Sequence, residues 1–378
     1  MDETLARYPV GRGDAAPSLS EKVAFLSRPD SYRPAPAEVS AHETHMSWVF
    51  IAGDDVYKMK KPVRFPYLDF STLPRREAAC RAEERLNRRL APDIYRGVVP
   101  LTDSGQGLAL AGNATPVEWL VHMRRLDERF MLDRLIAEHR LEARDIDRLT
   151  AVLADFYRTA KPVTLPPPVH LAELTRTLVY NRRVLLDARF SLSGGLVRHT
   201  DAVLARFITQ CAGLIAARCR HRRIVDGHGD LRPEHIWLGG RICIIDCLEF
   251  NARLRVVDPF DEIAYLSLEC ERLGAAWAGA RLRRRMTRLL PDGPTDALFT
   301  FYRGYRAMLR ARLAIAHLYE PEPRTPEKWP RLAHAYLALA AQSARKLDAW
   351  FRTPEGRRAR GSRAGGGSPR PAAARKTR

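Results

Sequence analysis

The stretch VDGHGDLRPEHIWLGGRICIIDCLEFN, residues 225–251, constrains this chain more than any other. Its apolar run ICIIDCL contains one acid near the end, the pattern of a buried strand that delivers Asp246 at its edge. HIWL reads as the hairpin partner of that strand across Gly239-Gly240. The segment from Asp230 to His235, with Pro233 inside it, must then be a tight loop. A loop held by rigid strands can bring Asp230 and Asp246 close together. Two carboxylates so held repel each other unless a cation lies nearby. One of them can bind that cation, and the other can accept a proton from an incoming hydroxyl or orient it.

The rest of the chain limits the classes open to it. A length of 378 residues suits two domains or one two-lobed domain, and 46% hydrophobic with 28% charged residues is globular composition. No apolar run is long enough to span a bilayer, and the first residues lack the apolar core of a signal peptide, so no membrane partner is expected. Cys80, Cys211, Cys219, Cys243, Cys247 and Cys270 form no C-x-x-C pair and read as buried thiols of a reducing, cytoplasmic setting. The formal charge is +19, yet only eight of the 63 basic residues are lysine and eight lie in the tail from Gly356. The remaining positive excess favours anionic ligands such as nucleotides. The aromatic-basic interleaving that stacks bases is missing, so no nucleic-acid partner is expected.

Along the chain, residues 1–17 read as a loose leader and Glu21–Arg28 as a short helix, followed by a Pro-rich connector. HMSWVFIAGDDVYKMKKPVRF predicts a β-hairpin about Gly53-Asp54-Asp55. The next segment predicts a helix: Ser71 or Thr72 can cap it, Pro74 suits its first turn, and Ala79, Glu83, Leu86 and Leu90 recur at helical spacing. YRGVVPLT, LALAG and PVEWLVHMRRL are strand-like. After Arg125 helical periodicity takes over, including one continuous pattern over 199–223, and it is interrupted only by the 225–251 stretch. From Thr353 the composition is that of a disordered basic tail, and no internal repeat is present.

HGDLRPEH, with Asp246 sixteen residues beyond Asp230, resembles the catalytic loop and metal-binding strand of the aminoglycoside phosphotransferase and protein-kinase-like superfamily, whose loop reads H-G-D-L-x-x-x-N. VVDPFDEIAYL looks like that family's D-P-x-x-D-L-A segment. The segment from VYKMKKPVRFPYLDF to GVVPLT resembles the N-lobe of an uncharacterised bacterial branch, so the likeness covers about Val39 to Leu268. It implies an α+β, two-lobed protein-kinase-like fold: a small β-rich N-lobe over 18–122, a larger helical C-lobe over 123–352 with the catalytic loop at 228–251, and the tail at 353–378. It implies an ATP-dependent phosphotransferase that uses Mg2+, or Mn2+, and acts on a hydroxylated small molecule. Asp230 would be the catalytic base, with His228 and His235 beside it, and Asp246 the metal ligand. Lys58 would hold the α- and β-phosphates, with Lys60, on the same strand face, as the fallback. Glu83, rather than Glu84, would position the lysine. Backbone groups of Met123 in the hinge HMRR would read the adenine edge.

This chain departs from that pattern in two places. His235 stands where the family has asparagine; an asparagine oxygen suits magnesium, whereas a neutral imidazole suits softer metals. His235 thus shapes the loop by bonding Asp230, or joins Asp246 as a ligand, with Glu249 as a further oxygen donor, or marks a lost activity. AHETHMSW, before the hairpin, has no glycine, so backbone amides and His42, Thr44, His45 or Ser47 would cover the phosphates. Plain structural readings stand beside these. His228 would bond backbone groups. Asp258, Pro259 and Asp261 would start a helix, Asp261 also bracing the loop by resemblance. The lysines would edge a strand, and RLRRRMTR would be a solvated helix face. Two other functions remain in view: a nucleotide-binding pseudokinase, and a metal-dependent hydrolase using His228, Asp230, His235 and Asp246.

Overall fold

The predicted hairpin forms about Gly53, whose φ of +62° would strain any side chain. It is part of a computed structural model that describes residues 17–360, except 66, 321, 322 and 324. The leader at 1–16 and residues 361–378 of the expected tail lie outside the described residues.

Helix α1 (Leu19–Leu26) starts at a capping box of Ser18 and Glu21. Strands β1 (Val39–Glu43), β2 (Ser47–Ala52) and β3 (Asp55–Lys60) follow, then the short pair β4 (Arg64–Phe65) and β5 (Leu68–Asp69). Next come α2 (Leu73–Asn87), β6 (Tyr95–Asp103), β7 (Leu108–Leu110) and β8 (Thr115–Arg124). Six strands make one antiparallel sheet in the order β1-β2-β3-β8-β6-β7. Alternation along β3 sends Met59 and Tyr57 to an apolar cluster with Leu26 and Phe50, and sends Lys58 and Lys60 to the opposite face, toward α2. Helix α2 buries Ala79, Glu83 and Leu86, with Leu90 just past its end, the face the spacing predicted. Sequence periodicity misses β1, whose residues Ser40, Ala41 and His42 are exposed on a sheet edge and carry no apolar alternation. The N-lobe sheet also runs to Arg124, two residues past the expected boundary.

The C-lobe contains α3 (Leu132–Ala137), α4 (Ala143–Thr159), α5 (Pro167–Leu185), α6 (Gly194–Gln210) and α7 (Ala212–Arg220). Strands β9 (Val225–Asp226), β10 (Ile236–Trp237), β11 (Cys243–Ile244) and β12 (Val256–Val257) follow, and then α8 (Pro259–Arg272), α9 (Ala276–Leu289), α10 (Asp296–Ala316), α11 (Lys328–Phe351) and α12 (Pro354–Ala359). One large apolar core joins these helices. The pattern expected as one helix over 199–223 is two, bent by 59° about Cys211, a break that no proline marks. Helix α12 corrects the tail expectation for its first residues: Thr353 caps it, Pro354 opens it, and Gly356 is buried against Trp350. All six cysteines are buried and free. Among the described residues no single helix is long and apolar enough to cross a membrane.

Candidate active site

The site is assembled from three pieces: the end of β3, the middle of α2, and the 225–251 stretch. Strands β10 and β11 pair as the sequence implies, Ile236 opposite Ile244 and Trp237 opposite Cys243. Asp246 then sits just beyond β11 with φ +61°, a left-handed backbone that is costly for a residue with a side chain. That geometry turns its carboxylate into the cleft, where the side chain is 45% exposed.

Two lysines of β3 meet it there. Lys58 Nζ donates to Glu83 Oε1 at 2.9 Å and to Asp246 Oδ1 at 2.7 Å. Lys60 Nζ donates to Glu83 Oε2 at 2.6 Å and to Glu249 Oε1 at 2.5 Å. Glu83, 1% exposed, is thus shared by both lysines, while Glu84 faces outward to Arg88. Burial alone would raise the Glu83 carboxyl, but Lys58 and Lys60 outweigh it and hold it below its ordinary range. Burial would likewise raise Asp246; Lys58 and then His235 hold it well below the usual carboxylate range. Lys58 shows the converse: burial would lower it, and Asp246 and Glu83 push it well up. Glu249 is committed to Lys60 and its carboxyl is raised, chiefly by burial. It stands here as the counter-ion of Lys60, whereas the sequence reading expects it as a metal ligand.

The catalytic-loop residues are held from below. Glu262, on α8, accepts from the backbone amides of His228 at 3.0 Å and Gly229 at 2.5 Å, and from the Tyr157 hydroxyl at 2.9 Å. Asp261, expected by resemblance to brace the loop, instead forms a two-pronged pair with Arg306. Asp258 caps α8 as read from sequence, accepting from the Phe260 amide and pairing with Arg218. His228 is wholly buried. One ring nitrogen faces the Ile245 carbonyl at 2.9 Å and the other accepts from the Asp230 amide at 3.3 Å. No nitrogen remains for a substrate or a metal, so His228 positions the loop against the Asp246 strand and is no catalytic residue.

Asp230 Oδ2 accepts from Arg232 Nε at 2.9 Å, and its Oδ1 accepts from the Tyr265 hydroxyl at 3.1 Å. Burial would raise its carboxyl, but Arg232, His235 and Arg310 hold it low. The His235 ring stands between the two aspartates. Its Nδ1 donates to the Asp230 carbonyl at 2.9 Å, which leaves Nε2 with the lone pair, 3.1 Å from Arg232 Nη2 and 3.5 Å from Asp246 Oδ2. The Asp246 carboxylate, open to the cleft, and the mostly buried His235 Nε2 are spaced to share one cation completed by other oxygens, provided that Arg232 yields the Nε2 lone pair. Among the described residues no group of three or more His, Cys, Asp or Glu could hold a metal ion, so the four-ligand hydrolase site is not assembled.

Met123 lies within β8 between Val56 on one side and Tyr95 on the other, which corrects its place as an adenine reader. The amides of Arg124 and Arg125 are tied to Ile94 and Asp54, so the link between lobes begins at Leu126. The turn between β1 and β2 closes on itself: the Thr44 amide donates to the Ser47 carbonyl at 2.8 Å and the Ser47 amide to Thr44 Oγ1 at 2.9 Å. His42 lies in β1, opposite Val49. A cavity of about 600 Å3 between α8, α9, α10 and α11 is lined by Arg283, Arg284 and Lys346 but by no residue of this site.

A β-rich lobe and a helical lobe, with lysine and aspartates meeting in the cleft, define the two-lobed protein-kinase-like fold, as the resemblance implied. The chain is similar in structure to a choline/ethanolamine kinase family protein from Mesorhizobium loti, at 16% identity and TM-score 0.51 over 91% of this chain and 98% of that one. It is similar also to a choline kinase from Cryptosporidium parvum, at 9% identity and TM-score 0.53 over 90% and 99%. In sequence it is 31% identical over 288 residues to uncharacterized proteins of Mycobacterium tuberculosis and Mycobacterium bovis. That match takes in 75% of this chain and 56% of theirs, so the chain spans about half the length of the curated relatives it matches. No protein-family model matches the chain.

Proposed function

We propose that the chain is a phosphotransferase that moves the γ-phosphoryl group of ATP to a hydroxyl of a small molecule. One observation carries the reading: Lys58, braced by Glu83 from the N-lobe, touches Asp246 of the C-lobe at 2.7 Å, with His235 and Asp230 alongside. On nucleotide binding Lys58 keeps Glu83 and exchanges Asp246 for the α- and β-phosphates. Asp246 Oδ2 and His235 Nε2 would hold Mg2+ or Mn2+, which when bound neutralises phosphate charge. Asp230, ionised at neutral pH, orients the acceptor hydroxyl. The O–P bond to the acceptor forms, the bond from the γ-phosphorus to ADP breaks, and the hydroxyl proton passes to Asp230. Leu126 is the first backbone of the interlobe link that is not tied to a strand, and it would read the adenine edge.

A thermal-shift titration with ATP and ADP, with and without Mg2+ or Mn2+, tests this. A ligand at about a hundred times its dissociation constant stabilises by about 2.7 kcal/mol, and Asp246→Asn should erase the metal-dependent part. A protein indifferent to nucleotide and metal together would not be this enzyme. One observation favours the nucleotide-binding pseudokinase as the second reading: the Arg232 guanidinium sits on the His235 lone pair at 3.1 Å. Under that reading nucleotide binds without turnover, and His235→Asn raises turnover.

A further inference from the structure

Behind Asp230, on the side away from Lys58, stands a guanidinium with too few partners. Arg310, on α10, is 18% exposed. Among the described residues only its Nε has an acceptor, the Tyr336 hydroxyl at a long 3.4 Å, and its ion pair with Glu269 is 3.6 Å. Glu269 needs no help from it, because it already accepts from Tyr336 at 2.6 Å and from Arg272 at 2.8 Å. Among the described residues no other hydrogen bond is made by Arg310, whereas the neighbouring Arg306 has a two-pronged pair with Asp261. A guanidinium has five donors, and those that Arg310 leaves unpaired are not sealed from solvent, so they can take a ligand while the group rests 5.5 Å from the Tyr336 ring. The group is also close to the chemistry. It lies 5.9 Å from the ring of Tyr265, whose hydroxyl bonds Asp230, and it is one of the charges that hold the Asp230 carboxyl low.

The two oxygens of Asp230 divide the cleft. Oδ2 faces Arg232 and His235, and so the nucleotide side; Oδ1 faces Tyr265 and the helices that carry Arg310 and Tyr336. The carboxylates nearby are committed elsewhere, Glu234 to Arg232 at 2.7 Å and Glu269 to Tyr336 and Arg272. We propose that Arg310 is the anion clamp of the acceptor site, and that the acceptor is an alcohol bearing a carboxylate or phosphate near the reacting hydroxyl. The inference rests on the phosphotransferase reading. It separates this chain from its structural neighbours named for choline, a cation, which a buried guanidinium beside the base would repel. A planar fork of donors also suits carboxylate and phosphate better than a point charge does.

The test is a phosphorylation assay with alcohols matched in skeleton and differing in charge. One set is glycerol, glycerate, glycerol 3-phosphate and 3-aminopropane-1,2-diol; the other is inositol, inositol monophosphate and an aminoinositol. The anionic members should exceed the neutral ones at least tenfold in kcat/KM, and the cationic ones should not react. Arg310→Gln should erase that preference, chiefly through KM, and Arg310→Lys, which keeps the charge and guards against misfolding, should restore part of it. A preference for neutral or cationic alcohols, or anionic members that go untouched, overturns the proposal. So does a loss in Arg310→Gln that is equal for neutral and anionic acceptors, the signature of a guanidinium that serves the γ-phosphate instead. A protein that shows the nucleotide shift but no anion preference sinks this inference alone; one without the shift sinks the phosphotransferase reading.

Discussion

His228 and His235 lie within one loop, yet the protein uses them in opposite ways. Burial, and then the neighbouring His235, lower the His228 ring to about 4 from its ordinary 6.5. A histidine depressed on folding binds fewer protons in the folded chain. Its stabilisation is therefore complete above the ordinary value and is lost as pH falls from 6.5 toward 4. Across that window His228 should remove about 3 kcal/mol of unfolding free energy. Urea denaturation at stepped pH checks this by difference: His228→Gln should show a flatter decline than the parent, whatever its own starting stability, and parallel curves would refute it. His235 Nε2 lies 3.5 Å from Asp246 Oδ2, and an imidazole in place of an amide oxygen favours Mn2+ over Mg2+. His235→Asn should lower the ratio of Mn2+- to Mg2+-supported nucleotide affinity about tenfold. Electron spin-echo spectra of bound Mn2+ should lose their coupling to a ring nitrogen in the same variant; no such coupling in the parent would remove His235 from the metal.

At the level of elements, the loop bearing Asp230 is fixed less by its own sequence than by the first turn of α8. Glu262 receives two successive loop amides and a tyrosine hydroxyl, with its carboxyl raised by burial. In Glu262→Gln an amide N–H2 must replace one of the accepting oxygens, so at least one buried donor loses its partner. The variant should lose about 1–3 kcal/mol of stability. Its turnover should fall at least tenfold while the nucleotide-induced thermal shift is kept, because the metal and lysine side of the cleft is untouched; equal loss of both would mean that the loop is not what Glu262 holds. This brace also marks what could be read in advance. The hairpin and α2 follow from periods of two and 3.6, because each depends on neighbours close in the chain, whereas the meeting of Lys58 with Asp246, 188 residues apart, is legible only through the family resemblance. Choosing Glu262 over Asp261 needs the helix's rotation about its axis, which a helix-start pattern leaves open. Arg310, Tyr265 and Tyr336 reach the site from three helices packed by the core, and no local spacing announces that meeting. Strand β1 escaped notice because an exposed edge has no apolar alternation to show.

Across the whole molecule, the lobes are tied in two ways. The end of α2 docks on the C-lobe through backbone and amide bonds: the Cys247 amide donates to Asn87 Oδ1 at 2.8 Å, and Arg89 donates to the Gly227 carbonyl at 2.8 Å. Nearer the cleft the ties are ionic, Lys58 with Asp246 and Lys60 with Glu249, and the turn between β1 and β2 brings His45 within 3.3 Å of Glu320 beyond α10. Of the two lysine ties, Lys58–Asp246 is open to the cleft and is available for exchange with a ligand. Lys60–Glu249 is buried on both sides, at 1% and 8% exposure, and should act as a fixed pin. Removing one partner of such a pair leaves the other charge dry, at a cost of about 3–5 kcal/mol. Lys60→Met should therefore lower unfolding free energy by that order, while leaving the helical core intact. Hydrogen exchange localises the effect. Amides of β2, β3 and the segment after Asp246 should lose protection, whereas those of α10 and α11 should not change, since their core contains no part of the pin. If α10 and α11 lost protection equally, the lobes would be one cooperative unit and the ionic ties mere ornaments of its surface. If Glu249→Gln reproduced the local loss but Lys58→Met did not, the division between a fixed pin and an exchangeable tie would be established by two substitutions on opposite sides of the cleft.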